Sequence, residues 1–127
     1  MDNNLERDWN KLLYKISEDF NVDADLNGTL LLIGIQERGK GFQEKYEKDE
    51  KMDHINLATC TLLMKWNYYQ MEGSDENGWP IFKKNKMVPP FSKEKEELLL
   101  KSSIVEYFKD MDYLESENLE SVKQKNI

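Results

Sequence analysis

The stretch from Asp49 to Met71, DEKMDHINLATCTLLMKWNYYQM, constrains the fold most, because it is the longest uninterrupted helical pattern and the only one apolar on two faces. At about 100° per residue, Met52, Ile55, Thr59, Leu62, Leu63, Trp66 and Tyr69 fall on one side of a helix. Leu57, Cys60, Met64 and Tyr68 fall roughly opposite. A helix on a surface needs one apolar stripe, so two stripes imply neighbours on both sides. The pattern predicts a central helix over 49–71, with Asp49 as N-cap and Glu50 and Asp53 placing negative charge where the helix dipole favours it. Its start is better marked than its end.

The flanking segments supply the neighbours. Leu5, Trp9, Leu12, Leu13, Ile16 and Phe20 have the spacing of one helical face, predicting an amphipathic helix over 4–20. The next segment, NVDADLNGTLLLIGIQERGKG, admits two readings. In one, Asp23 or Asp25 caps a buried helix over 24–38 that ends at a left-handed Gly39, and Gly28 and Gly34 weaken it but permit a close approach to the central helix. In the other, Asp23, Asp25, Asn27 and Gly28 open a calcium loop like that of an EF-hand, but its twelfth position, which needs a bidentate carboxylate, is Gly34. The capped helix requires no missing ligand. Residues 40–48 read as a connection that pins Phe42 and Tyr46 on the core. Beyond Met71, two aromatic-rich runs flank S-D-E-N-G, in which N-G favours a hairpin turn. Pro80 restricts its strand to an edge, so a small ribbon near 69–83, or a merely ordered loop, is expected. Ser92 then caps a helix over 92–111 that turns Leu98, Leu99, Val105, Phe108 and Met111 to the core. The expected fold is mainly α: about four helices packed around the central one with a small β-hairpin, one domain over 1–114, and a polar tail over 115–127, either a frayed helix or disordered.

Charge and absences narrow the function. Twenty-five acidic residues against 18 basic ones give a net charge of −7, which argues against a phosphate-backbone footprint and so against nucleic acid. The most apolar run, Leu30 to Ile35, is far short of the roughly 20 residues of a membrane span. MDNNLERDW has neither the basic start nor the apolar core of a secretory signal, so a cytoplasmic location is expected. No phosphate-binding glycine loop, nucleophile elbow or cysteine pair for zinc occurs. Cys60 reads as a buried, inert thiol.

Two constellations remain. Glu50 and His54 are one turn apart on the central helix, with Asp53 beside them, and an antiparallel hairpin would bring Glu37 close. Such a set resembles the carboxylate-rich divalent-metal sites of helical bundles, although the spacing is Glu-x-x-x-His where those sites use Glu-x-x-His. The plainer reading is that acids at a helix start serve the dipole and that the histidine bonds a neighbour. The second constellation is aromatic: Trp79 and Phe82 on the ribbon would offer a surface for a partner if left partly exposed.

The order GIQERGKGF, KDEKMDHINLATCTLL, the tyrosine pair and DENGWP resembles a set of short uncharacterised bacterial proteins sharing a helix, an acidic helix start, a tyrosine pair and a D-x-x-G-W-P segment over 30–82. The resemblance implies no activity, cofactor or catalytic residue. The expectation is therefore a non-enzymatic protein-interaction or regulatory domain with no cofactor, binding an unknown protein partner or a second copy of itself through Trp79 and Phe82. The alternative is a divalent-metal-binding helical protein, with an oxidoreductase as its enzymatic form, using Glu37, Glu50, Asp53 and His54; a small-molecule binder with a pocket between helices is third.

Overall fold

The computed structural model describes residues 3–87 and 92–114. The predicted tail over 115–127 lies outside them, as do Pro89, Pro90 and Phe91. The chain runs through helices α1 (Asn3–Phe20), α2 (Leu26–Arg38) and α3 (Lys48–Met64), a hairpin of β1 (Tyr69–Ser74) and β2 (Pro80–Lys84), and helix α4 (Lys93–Asp110). This is the expected mainly α fold with a small hairpin.

The second segment is the capped helix. Asp25 has extended backbone and its carboxylate accepts the Gly28 N–H at 2.7 Å, while Gly39 closes α2 in the left-handed conformation and donates its N–H to the Ile35 carbonyl. Those roles leave Asp25 as a cap rather than a calcium ligand. At the start of α3, the cap is not Asp49. Glu47 and Glu50 form a reciprocal capping box, in which the Glu50 carboxylate accepts the Glu47 N–H at 3.1 Å.

The largest correction concerns the end of α3, which stops at Met64 rather than reaching Met71. Asn67 is left-handed with φ 65°, its N–H bonds the Met64 carbonyl, and the Tyr68 N–H reaches back to the Leu63 carbonyl at 3.1 Å. That pair of bonds is a Schellman stop, accompanied by Tyr68 packing back onto the core. The same device with Asp112 (φ 60°) ends α4, where the Tyr113 N–H meets the Phe108 carbonyl. Asn21 (φ 53°) ends α1 in the same conformation, the Val22 N–H bonding the Ser17 carbonyl. Asparagine and aspartate adopt this conformation more readily than other residues with a Cβ, so the stops are encoded, though faintly.

The core gathers Trp9, Leu12 and Ile16 of α1, Leu30 and Ile33 of α2, Ala58, Leu62 and Leu63 of α3, and Leu100, Ile104, Val105 and Phe108 of α4. Several expected core residues lie outside it: Phe20, Met52, Trp66, Leu98 and Met111 are exposed. On α4 the inward face is set by Leu100, Ile104 and Phe108, four residues apart, which turns Leu98 outward. Trp66 lies beyond the end of α3 and ties it to α4 by donating its indole N–H to Ser103 Oγ at 2.9 Å. The buried Asp8 joins α1 to α4 through Lys109 at 2.7 Å.

α3 packs chiefly against α2, and one residue makes that possible. A Cβ at Gly34 would stand 2.5 Å from the carbonyl carbon of His54, and closer still to its oxygen. Fully buried Ala58, one turn along α3 from His54, keeps the seam narrow. The hairpin is antiparallel, Tyr69 opposite Lys84 and Met71 opposite Phe82, with a bulge between Met71 and Gly73. Its turn is not the two-residue N-G type. The Gly78 N–H bonds the Asp75 carbonyl, only Gly78 takes positive φ (84°), and the Asp75 carboxylate accepts the Asn77 and Trp79 N–H groups at 2.9 Å each. This is a three-residue loop with a left-handed glycine at its end.

Gly34→Ala is expected to cost at least about 3 kcal/mol, because the added methyl must displace backbone rather than a flexible side chain. Gly39→Ala, which meets open space and carries only the left-handed penalty, is expected to cost about 1 kcal/mol. Urea unfolding of the two variants should show that order, and equal losses would mean the helices separate freely.

Candidate functional site

The end of α2, the connection to α3, the second turn of α3 and the hairpin turn converge on one line of rings. Gly39 and Gly41 are left-handed and bend the connection so that Phe42 and Tyr46 face the same side. Ring centroids then follow at 6.2 Å from Phe20 to Phe42, 6.0 Å to Tyr46, 5.3 Å to His54 and 5.1 Å to Trp79, the last three contacts edge to face. Arg38 closes the line with its guanidinium 4.5 Å from the Trp79 ring centre, donating to the Asn77 carbonyl at 2.7 Å and the Gly78 carbonyl at 3.4 Å. α2 thereby holds the hairpin turn.

His54 is 7% exposed. Its Nδ1 lies 2.7 Å from the Glu50 carbonyl, which can only accept, so Nδ1 carries a hydrogen. Nε2 has no protein partner among the described residues. Among the described residues no fully buried side-chain nitrogen or oxygen lacks a partner.

Three clefts formed by described residues adjoin this line. The first, about 490 Å³, is walled by Phe20, Leu32, Ile35, Phe42, Tyr107 and Met111, with Tyr113 at its side. Phe42 is 63% exposed, a correction to the expectation that it is pinned on the core; Tyr46, at 8%, is buried as expected. Phe20 and Met111 are exposed at the same rim. The second cleft, about 430 Å³, runs between α3 and the hairpin and is lined by Asp53, Cys60, Asp75, Trp79 and Phe82. Cys60, expected to be buried, is half-buried on this wall, and desolvation pushes its thiol up. The third, about 290 Å³, is lined by Arg38, Lys40, Tyr46, Glu50, His54 and Trp79.

The four carboxylate and imidazole residues singled out in the sequence are divided among these surfaces. Glu50 and His54 share the third cleft, whereas Asp53 lines the second. Glu37 turns to α4, accepting the Tyr107 hydroxyl at 2.8 Å. Among the described residues no three histidine, cysteine, aspartate or glutamate side chains are grouped so that they could hold a metal ion. Trp79 and Phe82 are both half-buried, and Trp79 is occupied by His54 and Arg38. Phe20 and Phe42 form a second, more exposed aromatic surface. Sequence reading missed it because Phe42 stands in an irregular connection with no periodicity to reveal which way it points, and only the G-K-G before it hinted at a bend.

No protein-family model, curated protein or solved structure matches the chain. No described helix is long and apolar enough to cross a membrane.

Two tyrosines of the first cleft carry a pH signature. Burial first, then a hydrogen bond to a carboxylate and that carboxylate's charge, push Tyr107 (on Glu37) and Tyr113 (on Asp19, 2.6 Å) above the ordinary phenol range. The folded chain thus keeps protons that the unfolded chain releases near roughly pH 10. Their contribution is complete below that pH and is lost as pH rises through the raised values. Stability should therefore fall above about pH 10, and Tyr107→Phe with Tyr113→Phe should flatten that fall; an unchanged slope in denaturant titrations would assign it to other groups.

Proposed function

We propose that the chain is a non-catalytic binding module that takes an apolar, basic-flanked segment of a partner protein into the cleft between the α2–α3 connection and the end of α4. The observation that carries this reading is the convergence of three exposed large apolar side chains, Phe20, Phe42 and Met111, on one cleft of about 490 Å³. Exposed apolar groups scattered singly are ordinary, but three on one concave apolar surface have the character of a recognition site. Aromatic and methionine side chains suit such a site, because they present much contact area and tolerate varied partner shapes.

Charge supplies the partner's second property. Asp19 and Glu37 accept hydrogen bonds from the hydroxyls of two cleft tyrosines, while Asp110 and Asp112 flank Met111 in the chain. Lys15, 3.9 Å from Asp19 and 4.7 Å from the Tyr113 ring centre, is the local counter-charge. With a net charge of −7 on the whole chain, a basic flank on the partner would gain in encounter rate and orientation more than in final affinity.

The test uses a synthetic amphipathic helix of leucines and lysines, followed by chemical-shift mapping of the full chain. Saturable shifts at Phe20, Phe42, Tyr107 and Met111, with affinity reduced about tenfold or more by Phe42→Ser, are expected for loss of an aromatic anchor. Shifts spread over the acidic surface and indifferent to Phe42→Ser would end this reading. Sedimentation of the free chain separates a second copy as occupant, since self-association abolished by Phe42→Ser would identify the partner as the chain itself.

A further inference from the structure

The apolar cleft is walled largely by aromatic rings. Phe20 and Phe42 meet with centroids 6.2 Å apart and planes tilted by 39°. Tyr107 and Tyr113 both contact Phe108, at centroid distances of 5.6 and 5.4 Å. Phe108 is buried, whereas the other four rings are exposed or half-buried. Met111 adds a polarisable thioether, and none of the described residues in the lining carries a charge.

Carboxylates stand behind two of these rings. The Tyr107 hydroxyl donates to Glu37 at 2.8 Å and the Tyr113 hydroxyl to Asp19 at 2.6 Å, and neither acid lines the cleft. A phenol that gives its hydrogen to a carboxylate carries more electron density on its ring, and ring faces attract cations through that density. The structure already holds one such contact, because the Lys15 ammonium is 4.7 Å from the Tyr113 ring centre. Lys15 is paired with Asp19 at 3.9 Å and is not part of the lining, so its charge stays outside the cleft.

We propose, resting on the binding role assigned to this cleft, that the partner segment anchors in it through a methylated lysine, whose quaternary ammonium lies against Phe20, Phe42 and Tyr107. A plain lysine has three N–H groups to satisfy, and a lining of rings, aliphatic chains and a thioether offers few acceptors. Methylation removes those donors, keeps the charge and spreads it over an apolar surface, which suits a wall of rings. A neutral side chain of the same shape would gain from burial alone. The carboxylates behind Tyr107 and Tyr113 add a preference for positive charge that burial does not supply.

The probe is the leucine and lysine helix described above, with one central leucine replaced in turn by trimethyllysine, by its neutral analogue with carbon in place of nitrogen, and by lysine. Each peptide is titrated into the full chain. The trimethyllysine peptide is expected to bind about fivefold or more tightly than either of the others, with shifts at Phe20, Phe42 and Tyr107. The lysine peptide controls for the net charge of −7, which attracts any cation. Phe42→Leu keeps an apolar contact at an exposed position but removes the ring, so the preference should fall to about one while the neutral analogue still binds. A neutral or lysine peptide that matches trimethyllysine would overturn the proposal and leave the cleft as an apolar binding site, and so would a preference that survives Phe42→Leu. No saturable binding by any of the three peptides would end both readings of the cleft. Vesicles of phosphatidylcholine carry the same ammonium; sedimentation of the chain with them, abolished by Phe42→Leu, would assign the cation to a lipid headgroup and overturn a protein source.

Discussion

The contact between Gly34 and the backbone of His54 is the constraint on which the rest depends. With no Cβ at 34, α2 and α3 approach until one helix's backbone lies where the other's side chain would be. Such a seam is stiff: backbone cannot rotate away as a side chain can, and fully buried Ala58 and Thr29 leave no slack along it. Thr29 is accommodated because its hydroxyl donates to the Leu26 carbonyl at 2.7 Å, so its burial leaves no polar group unpaired. Since it is His54's own backbone that is gripped, the imidazole is fixed at its root. Its bond to the Glu50 carbonyl and its edge contacts to Tyr46 and Trp79 then leave it little freedom.

A second layer of constraint comes from how the helices stop. Asn21, Gly39, Asn67 and Asp112 are left-handed, and each turns the chain sharply while satisfying carbonyls that a helix end would otherwise leave open. These stops decide what each helix delivers to its end. Asn67 releases Tyr68 and Tyr69 from α3, so that Tyr69 can begin the hairpin whose far turn Arg38 holds. Asp112 places Tyr113 where its hydroxyl meets Asp19 of α1, joining the first helix to the last. The clefts are products of those turns, lying where helix ends meet connections.

Much of the fold was legible because burial imposes periodicity. The apolar spacing in α1, the Asp25 and Ser92 caps and the left-handed Gly39 all follow local rules, and the structure obeys them. Gly34 was also legible as a close approach, but Gly28, open to the same reading, meets only the carboxylate of its own cap, Asp25. The overlong α3 had a specific cause: Trp66, Tyr68 and Tyr69 continue its apolar spacing, and Asn67 carries a weaker stop signal than glycine. The candidate site was less legible. His54 and Trp79 were noticed, but as members of different groups, one with carboxylates and the other with Phe82. Their mutual contact is set by Arg38 and by the hairpin turn, roughly forty residues apart in sequence. No local pattern encodes such a pairing; only tertiary packing makes it.

The connection between α2 and α3 shows why that matters for what the molecule can do. It presents Phe42 to the apolar cleft and Tyr46 to the donor-rich one, and Ile35 and Gly41 line both. Phe42 and Tyr46 touch edge to face, and Tyr46 in turn holds the backbone at Gly41 and Gln43. The two clefts therefore share a wall built from the connection. Any effect of occupancy at one cleft on its neighbour would pass through that wall and act equally in both directions.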